Sequence, residues 1–401
     1  MHRALRPPSA ANVALLGALL LATPAPPPAA AADVEALRRA VLDPAQATAA
    51  RVKAAASLEK EDVEALGNAI LEIGKAKDQK NLPFLVEWTV KDDALHLRAL
   101  AVHAALQSSP DGVLQAYLDK TGTDDTKGAV RAVHAVGLLV GPLKDRSAYP
   151  RLLELTRGSR PILGVEAARA LSRCMDKRTA KEVLDATVSV ADEHVRKHLV
   201  WALQDLTGKG AEKSLEGLKG RPGDEGRRAT EALRILADKE EEDFEWNPLA
   251  VKGVADWWTK GRTRDRKPSL DKLDKDTQAK VQGFLDYLAK EAPVWHHLFC
   301  STVHQIMFRP GSELRSFDPE KKTLYIPGTE LLQCSSDWQG AYVLARYGCI
   351  AFDSLHGAPG VGHRGWEPAY VEMHSFYVAT KRAPEPLEAF VAKFVAGKPW
   401  R

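Results

Sequence analysis

The side chains best suited to chemistry are grouped near the C-terminus of the chain. Cys349, Asp353 and His356 are spaced by four and then three residues, so they lie on one stripe of any helix that extends this far. A thiol, an imidazole and a carboxylate can together bind zinc, or they can form a thiol nucleophile with a nearby base. The spacing therefore predicts, as one alternative, a metal- or thiol-dependent hydrolase with an atypical site.

This alternative also uses polar side chains that lie further along the chain. Its catalytic residues are Cys349, His356, His374 and Glu372, and its zinc ligands are Cys349, His356, His363 and Glu372. No local sequence matches a thiol-hydrolase signature, and no glycine-rich phosphate-binding loop is present. The competing interpretation assigns the chain no catalytic residue, no metal ligand and no cofactor.

Hydrophobic periodicity predicts the elements that position these side chains. Apolar residues at helical spacing predict helices over residues 276–291, 337–355, 368–382 and 387–395. Residues 295–308 fit a helix, or a helix that continues into a strand, while 313–317 and 323–326 fit strands on either side of a turn. This mixture predicts a small α+β domain.

The order of these elements resembles that of zinc-dependent metallopeptidases of the zincin type. In that family a strand leads into a helix that carries His-Glu-x-x-His, and a downstream helix supplies the third zinc ligand. Here residues 323–328 take the place of the strand, residues 344–350 take the place of the motif, and Glu372 takes the place of the third ligand. The resemblance covers roughly residues 320–380.

The chain departs from the zincin motif at its essential positions. Ala345 stands where a ligand is needed, and Arg346 puts a permanent cation in place of the general base. Cys349 and Glu372 alone would make a poor zinc site. The resemblance therefore implies an inactive peptidase fold that is kept for binding, and the alternative is an α+β domain unrelated to peptidases.

The N-terminal part of the chain repeats itself. Helical phrases begin at positions 97, 130, 165, 195 and 228, at intervals of about 30 to 35 residues, and follow a valine–arginine–x–x–alanine–x–x–leucine pattern. These phrases resemble HEAT-type repeats, in particular those of phycobilisome-lyase-like HEAT proteins, over roughly residues 34–240. The resemblance implies an α-solenoid of stacked helical pairs that binds a protein partner, and a non-repetitive helical bundle is the alternative.

Composition changes sharply near residue 246. Six of the 27 aromatic residues precede Trp246, whereas 21 lie from Trp246 onward. The sequence therefore predicts a mostly α protein with an α-solenoid at 33–262 and a smaller α+β domain at 263–401. Trp257 and Trp258 fall in a predicted helix at 251–260, where they would cover the apolar end of the solenoid.

Several histidines outside the C-terminal stripe are predicted to be packing residues. His103 and His134 lie inside apolar phrases, and His194 and His198 share a helix face without an evident third ligand. A second group comprises His296, His297 and His304, of which the last two are seven residues apart and could share a helix face. Trp295 and Phe299 beside them favour packing over ligation.

The first 32 residues have the features of a secretory signal peptide. Arg3 and Arg6 precede an apolar run at residues 13–22, and Ala30–Ala32 place small residues before Asp33. A run of about ten residues is too short to span a membrane. We therefore expect an exported protein, periplasmic or extracellular, without a stable membrane span.

Charge and cysteine content limit the remaining classes of function. The 56 basic and 53 acidic residues give a net charge of +3, which argues against a nucleic-acid partner. The four cysteines are too few for a disulfide scaffold, and the sequence does not determine which of them would pair outside the cytoplasm. The preferred interpretation is an exported, non-enzymatic protein-binding or scaffold protein.

Overall fold

Apolar residues at a helical period, separated by short polar loops, make most of this chain helical. The computed structural model describes residues 33–143, 145–173, 176–237, 250–262, 267–309, 317–355, 370–380, 386–387 and 389–391. The fold over these residues is mostly α, with a small α+β part near the C-terminus, which confirms the predicted fold class. His356, His363 and Cys174 lie outside the described residues.

The N-terminal part consists of helices joined by short loops. Their bounds are α1 Val34–Leu42, α2 Thr48–Glu61, α3 Val63–Ala76, α4 Leu82–Lys91, α5 Leu95–Ser108, α6 Val113–Lys120, α7 Thr126–Leu143, α8 Tyr149–Thr156, α9 Pro161–Arg173, α10 Ala180–Ser189, α11 Glu193–Thr207, α12 Gly210–Lys219 and α13 Asp224–Ala237.

Helices of this region pack in consecutive pairs. From α4 onward the pairs are α4–α5, α6–α7, α8–α9, α10–α11 and α12–α13, and the second helices of neighbouring pairs (α5, α7, α9, α11 and α13) also contact one another in order. Such tight packing between neighbours is compatible with a helical-repeat solenoid. The phrases that begin at 97, 130, 165 and 195 all lie in these second helices.

The arginine of the repeated phrase has a definite structural role. Arg98 donates to the carbonyls of Asp92 and Asp93, and Arg131 donates to those of Val90 and Lys91, at 3.0–3.3 Å. The same interaction recurs further along, where Arg196 and Arg228 donate to the carbonyls of residues 188–191. These carbonyls lie in the last turn of α4 and α10 or in the loop directly after it, where a cation satisfies unpaired acceptors and interacts favourably with the helix dipole.

The C-terminal part mixes helices with one small sheet. Its helices are α14 Ala250–Asp256, which continues into a π-helical turn at Trp257–Gly261, α15 Lys275–Glu291, α16 Pro293–Thr302, α17 Gly328–Leu332, α18 Asp337–Leu355 and α19 Tyr370–Ala379. The strands are β1 Gln305–Arg309, β2 Phe317–Asp318 and β3 Thr323–Pro327.

The sheet has the order β1–β3–β2, and a helical layer packs beside it. β1 pairs with β3 in parallel, with Gln305 opposite Thr323, while β2 pairs with β3 antiparallel. Helix α18 packs against both α15 and α16, and α19 packs against α18. The predicted helices at 276–291 and 337–355 and the strand at 323–326 are confirmed.

The C-terminal part packs directly on the first helical pairs. Helix α14 contacts α5 and α7, and α16 contacts α2. Trp258 packs on Gly67 of α3, where an added Cβ would lie 2.1 Å from the indole ring, and its Nε1 donates to Asn68 at 3.0 Å. Trp258 therefore packs on the first helical pairs, and the prediction that it covers an apolar end of the solenoid is to be corrected in this respect: its contact is with α3, far in sequence from the last repeat.

The described residues from Val34 onward belong to one compact unit. The contact of α16 with α2 and the ion pair between Arg98 and Glu372 cross the predicted boundary at residue 262, and the division into two domains stays a prediction. Among the described helices, none is both long enough and apolar enough to span a membrane.

Candidate functional site

Glu372, the predicted third zinc ligand, forms a buried ion pair with the helical repeats. Arg98 of α5 donates from Nη2 to Glu372 Oε1 of α19 at 2.5 Å, and the two side chains are only 3% and 10% exposed. Burial excludes the water that would otherwise screen the two charges, so losing either partner would leave an uncompensated charge. The carboxylate thus joins the C-terminal helix to α5.

Arg131 makes the corresponding link one helical pair further along. It donates to Ser375 Oγ at 3.1 Å, one turn along α19 from Glu372, and it forms an ion pair with Asp93. Burial alone would raise the pKa of Asp93, but the charges of Arg131 and Lys127 lower it to about 2. Asp93 is therefore ionised at neutral pH and holds both cations in place.

A second carboxyl group beside this network is held close to another acid. Asp92 Oδ1 accepts from the backbone N–H of Ala94 at 2.9 Å, and the carboxyl of Glu59 on α2 lies close enough for the two negative charges to repel each other. Burial raises the pKa of Asp92 to about 7 and that of Glu59 well above its usual range. Burial and the repulsion between the two charges therefore both oppose full ionisation of this pair near neutral pH.

A chain of two histidines lies at the boundary between α5 and the C-terminal helices. Arg262 Nη1 lies 3.3 Å from His297 Nε2, and His297 Nδ1 lies 3.1 Å from His96 Nε2. Burial lowers the pKa of His297 to about 4 and that of His96 well below its usual range, so both rings are neutral at pH 7.

Arginine can only donate, which fixes the direction of this chain. Arg262 donates to Nε2 of His297, so the proton of His297 is on Nδ1 and is donated to Nε2 of His96. The proton of His96 is then on Nδ1, an atom that has no hydrogen-bond partner among the described residues. The two rings therefore act as a directed link between α16 and α5.

Aromatic rings enclose this histidine pair. His96 stacks on Trp258 with ring centroids 6.0 Å apart, and Trp257 and Phe352 meet it edge-on. Arg262 lies over the Trp258 ring at 4.1 Å and pairs with Glu64 at 2.9 Å. The cluster is filled by side chains, and Arg262 beside His297 would repel a metal cation.

Cys349, the central residue of the hydrolase alternative, lies in the hydrophobic core. It is 2% exposed on α18, and the neighbouring Gly348 packs on Phe299 of α16. Helix α18 ends at Leu355, so the predicted stripe to His356 continues past the described helix. No group of three His, Cys, Asp or Glu side chains within the described ranges could hold a metal ion.

The remaining predicted site residues have different neighbours. His374 lies on α19 with its ring 5.5 Å from that of Phe390. Arg346 pairs with Glu330 at 2.7 Å, and Glu330 also accepts from the Tyr347 hydroxyl at 2.7 Å. His356 and His363 lie outside the described residues, so the alternative ligand set as a whole stays a prediction.

The second predicted histidine group does not lie on one helix: His296 and His297 belong to α16, whereas His304 follows it. Helix α16 ends at Thr302, so His304, which lies beyond it, does not share a helix face with His297, and that prediction is wrong. His296 Nε2 lies 3.4 Å from Cys300 Sγ, but burial raises the pKa of Cys300 to about 12, which keeps it a thiol. Cys300, Cys334 and Cys349 are not joined to one another by disulfides.

Sequence reasoning missed most of the polar residues at this boundary. Arg98 and Arg131 are the arginines of the repeated phrase. A solvent-exposed position would not need the same residue in successive repeats, so the recurrence is a signal that these arginines make a specific contact. Two acids at Asp92 and Asp93 directly before a repeat helix were a second signal. His96, by contrast, resembles any other histidine in an apolar helix.

Comparison with known proteins adds no family to this description. No protein-family model matches the chain, and no curated protein matches it.

Proposed function

We propose that this chain is a non-enzymatic binding protein, a HEAT-like helical scaffold whose C-terminal part is a packed, peptidase-like module without catalysis. The observation that supports it most directly is the Arg98–Glu372 ion pair. A carboxylate that served as a zinc ligand would need to face the metal, and one that served as a general base would need to face substrate, whereas Glu372 is 8% exposed and faces an arginine.

The arrangement of the first helical pairs supports the same proposal. The C-terminal helices pack on the first helical pairs, so the later pairs, α8–α13, offer a surface on which a protein partner can bind, as is usual for helical-repeat proteins. Arg131 and Arg196 donate to carbonyls at the C-terminal ends of α4 and α10 and so hold neighbouring helices together. The buried Arg98–Glu372 ion pair holds α19 on these helices. A braced surface of this kind loses little conformational entropy when it binds.

Metal content and partner capture test this function together. We expect purified protein to contain substoichiometric zinc, and cross-linking in native extract to capture the same protein partner repeatedly, with excess unlabelled chain as the competitor. Stoichiometric zinc, together with a hydrolytic activity that is lost in Cys349→Ala and Glu372→Gln, would contradict the proposal and favour the hydrolase.

We further propose that the protein is exported and that residues 1–32 are removed. Arg3, Arg6 and the short apolar run that follows them support this proposal. The intact mass of the native protein should correspond to a chain that begins at Asp33. A native mass that includes Met1 would contradict it.

A further inference from the structure

An arginine-lined groove lies at the loop between α8 and α9, away from the C-terminal helices described above. Its volume is about 500 Å³, and its walls include Arg151, Arg157 and Arg160 together with one acid, Glu154. Leu155 and Leu163 form an apolar floor. The groove therefore combines a net positive wall with a small apolar base.

Two of the arginines are held in place by the preceding loop. Arg151 Nε donates to Thr121 Oγ1 at 3.1 Å, while Arg160 donates to the carbonyls of Thr123 at 2.8 Å and Thr121 at 3.3 Å. Because these bonds fix the side chains before any ligand arrives, little side-chain entropy remains to be lost on binding. Arg157 is exposed at the rim.

The one acid in the groove is a weak competitor. Glu154 pairs with Arg151 at 2.7 Å, but the Glu154 side chain is 67% exposed. An ion pair this exposed contributes little, since water and salt screen it. A carboxylate from a ligand can therefore replace Glu154 at Arg151 at small cost.

Charge on the neighbouring loops makes this position distinct. The loops before α7 and α11 carry acids, namely Asp124 and Asp125, and Asp192, whereas the loop before α9 carries Arg157, Ser159 and Arg160. An acidic ligand is attracted to this groove and repelled by the loops beside it.

We infer that this groove binds an acidic segment of a protein partner, with glutamate or aspartate side chains on Arg151, Arg157 and Arg160 and their stems on Leu155 and Leu163. The inference rests on the proposed binding function and names the chemistry of the partner. Arginine is the side chain best suited to carboxylates, because its planar fork can donate two parallel hydrogen bonds.

A labelled glutamate–alanine peptide and a glutamine–alanine peptide of equal length test this inference by fluorescence anisotropy on the full chain. We expect the glutamate peptide to bind, the glutamine peptide not to bind, and Arg157→Ala to weaken binding about tenfold. Arg227→Ala is the matched control, since Arg227 is an exposed arginine on α13 and its loss changes the net charge equally.

Three results would contradict the assignment of this groove as a binding site. They are no binding of the glutamate peptide, equal binding of the glutamine peptide, or equal weakening by Arg157→Ala and Arg227→Ala. These outcomes differ from failure of the binding function itself. If cross-linking still captures a recurrent partner, only the assignment of this groove fails, whereas loss of capture removes the scaffold proposal.

Discussion

Arg98 connects three parts of the molecule through one side chain. Its Nη1 donates to the carbonyls of Asp92 and Asp93 at the end of α4, while its Nη2 binds Glu372 on α19. A buried guanidinium is stable only when its donors are satisfied in this way. The arginine that defines the repeated phrase thus also anchors the C-terminal helix.

The acid pair Glu59–Asp92 makes stability depend on pH. The pKa of Asp92 is about 7 in the folded protein and about 3.9 in an unfolded chain, so between these values the folded state holds a proton that the unfolded state has released. The free energy of unfolding then falls as pH rises through this window, by at most about 1.4 kcal/mol per pH unit for one proton. Charges facing the pair are Asp93, Arg98, Arg131 and Lys60.

Asp92→Asn tests this dependence, because the amide keeps the acceptor for the N–H of Ala94 and removes the group that titrates. Urea unfolding should show the variant to be more stable than wild type at pH 8, with the difference shrinking toward pH 5. Asp111→Asn on an exposed loop is the control and should leave the pH profile unchanged. A difference between Asp92→Asn and wild type that does not vary with pH would contradict the raised pKa of Asp92.

At the scale of elements, two glycines allow large aromatic rings to pack directly against a helix backbone. Gly67 lets the Trp258 ring lie directly against α3, and Gly340 of α18 lets Phe284 of α15 approach in the same way. Both glycines lie inside helices, where alanine has the better helical propensity. Their use at these contacts shows that close approach outweighs propensity here.

Gly67→Ala should therefore destabilise the protein by about 1 to 3 kcal/mol, because its Cβ would overlap the Trp258 ring. Gly217 of α12 is a matched control, since an added Cβ there meets nothing within 4 Å. Gly217→Ala should stabilise the protein by about 0.5 to 1 kcal/mol through helical propensity. Equal stability of the two variants in urea unfolding would contradict the close packing of Trp258 on α3.

At the scale of the whole molecule, the chain folds back on its own beginning. The described residues 250–262 and 370–380 contact α3, α5 and α7, so the first helical pairs and the C-terminal helices share one core. Such a shared core predicts that both parts unfold together.

Far-UV circular dichroism, dominated by the helical repeats, and tryptophan fluorescence, dominated by the C-terminal part, should therefore give coincident urea transitions. Two transitions with separate midpoints would show that the C-terminal part is an independent domain and that its contacts with α3 and α5 contribute little.

Much of the fold was predictable from the sequence, whereas the boundary between its parts was not. Helical period and turn residues locate α15 and α18 within one residue, because they depend on local chemistry. The position of Trp258 on α3 depends on a contact across 190 residues, for which no local pattern exists. For the same reason only the hydrolase alternative gives Glu372 a role, as a zinc ligand, since its partner Arg98 lies 274 residues away.

The central claim is that side chains suited to catalysis are used here to hold the molecule together, and a double-mutant cycle on Arg98 and Glu372 tests it most directly. Urea unfolding of Arg98→Gln, Glu372→Gln and the double variant should show that Glu372→Gln costs about 3 kcal/mol, with a coupling energy of at least about 1 kcal/mol. Glu154→Gln, at an exposed ion pair, should change stability by less than about 0.5 kcal/mol. A Glu372→Gln protein as stable as wild type, with no coupling to Arg98, would contradict the account, because a carboxylate kept for catalysis or metal binding is not needed for stability.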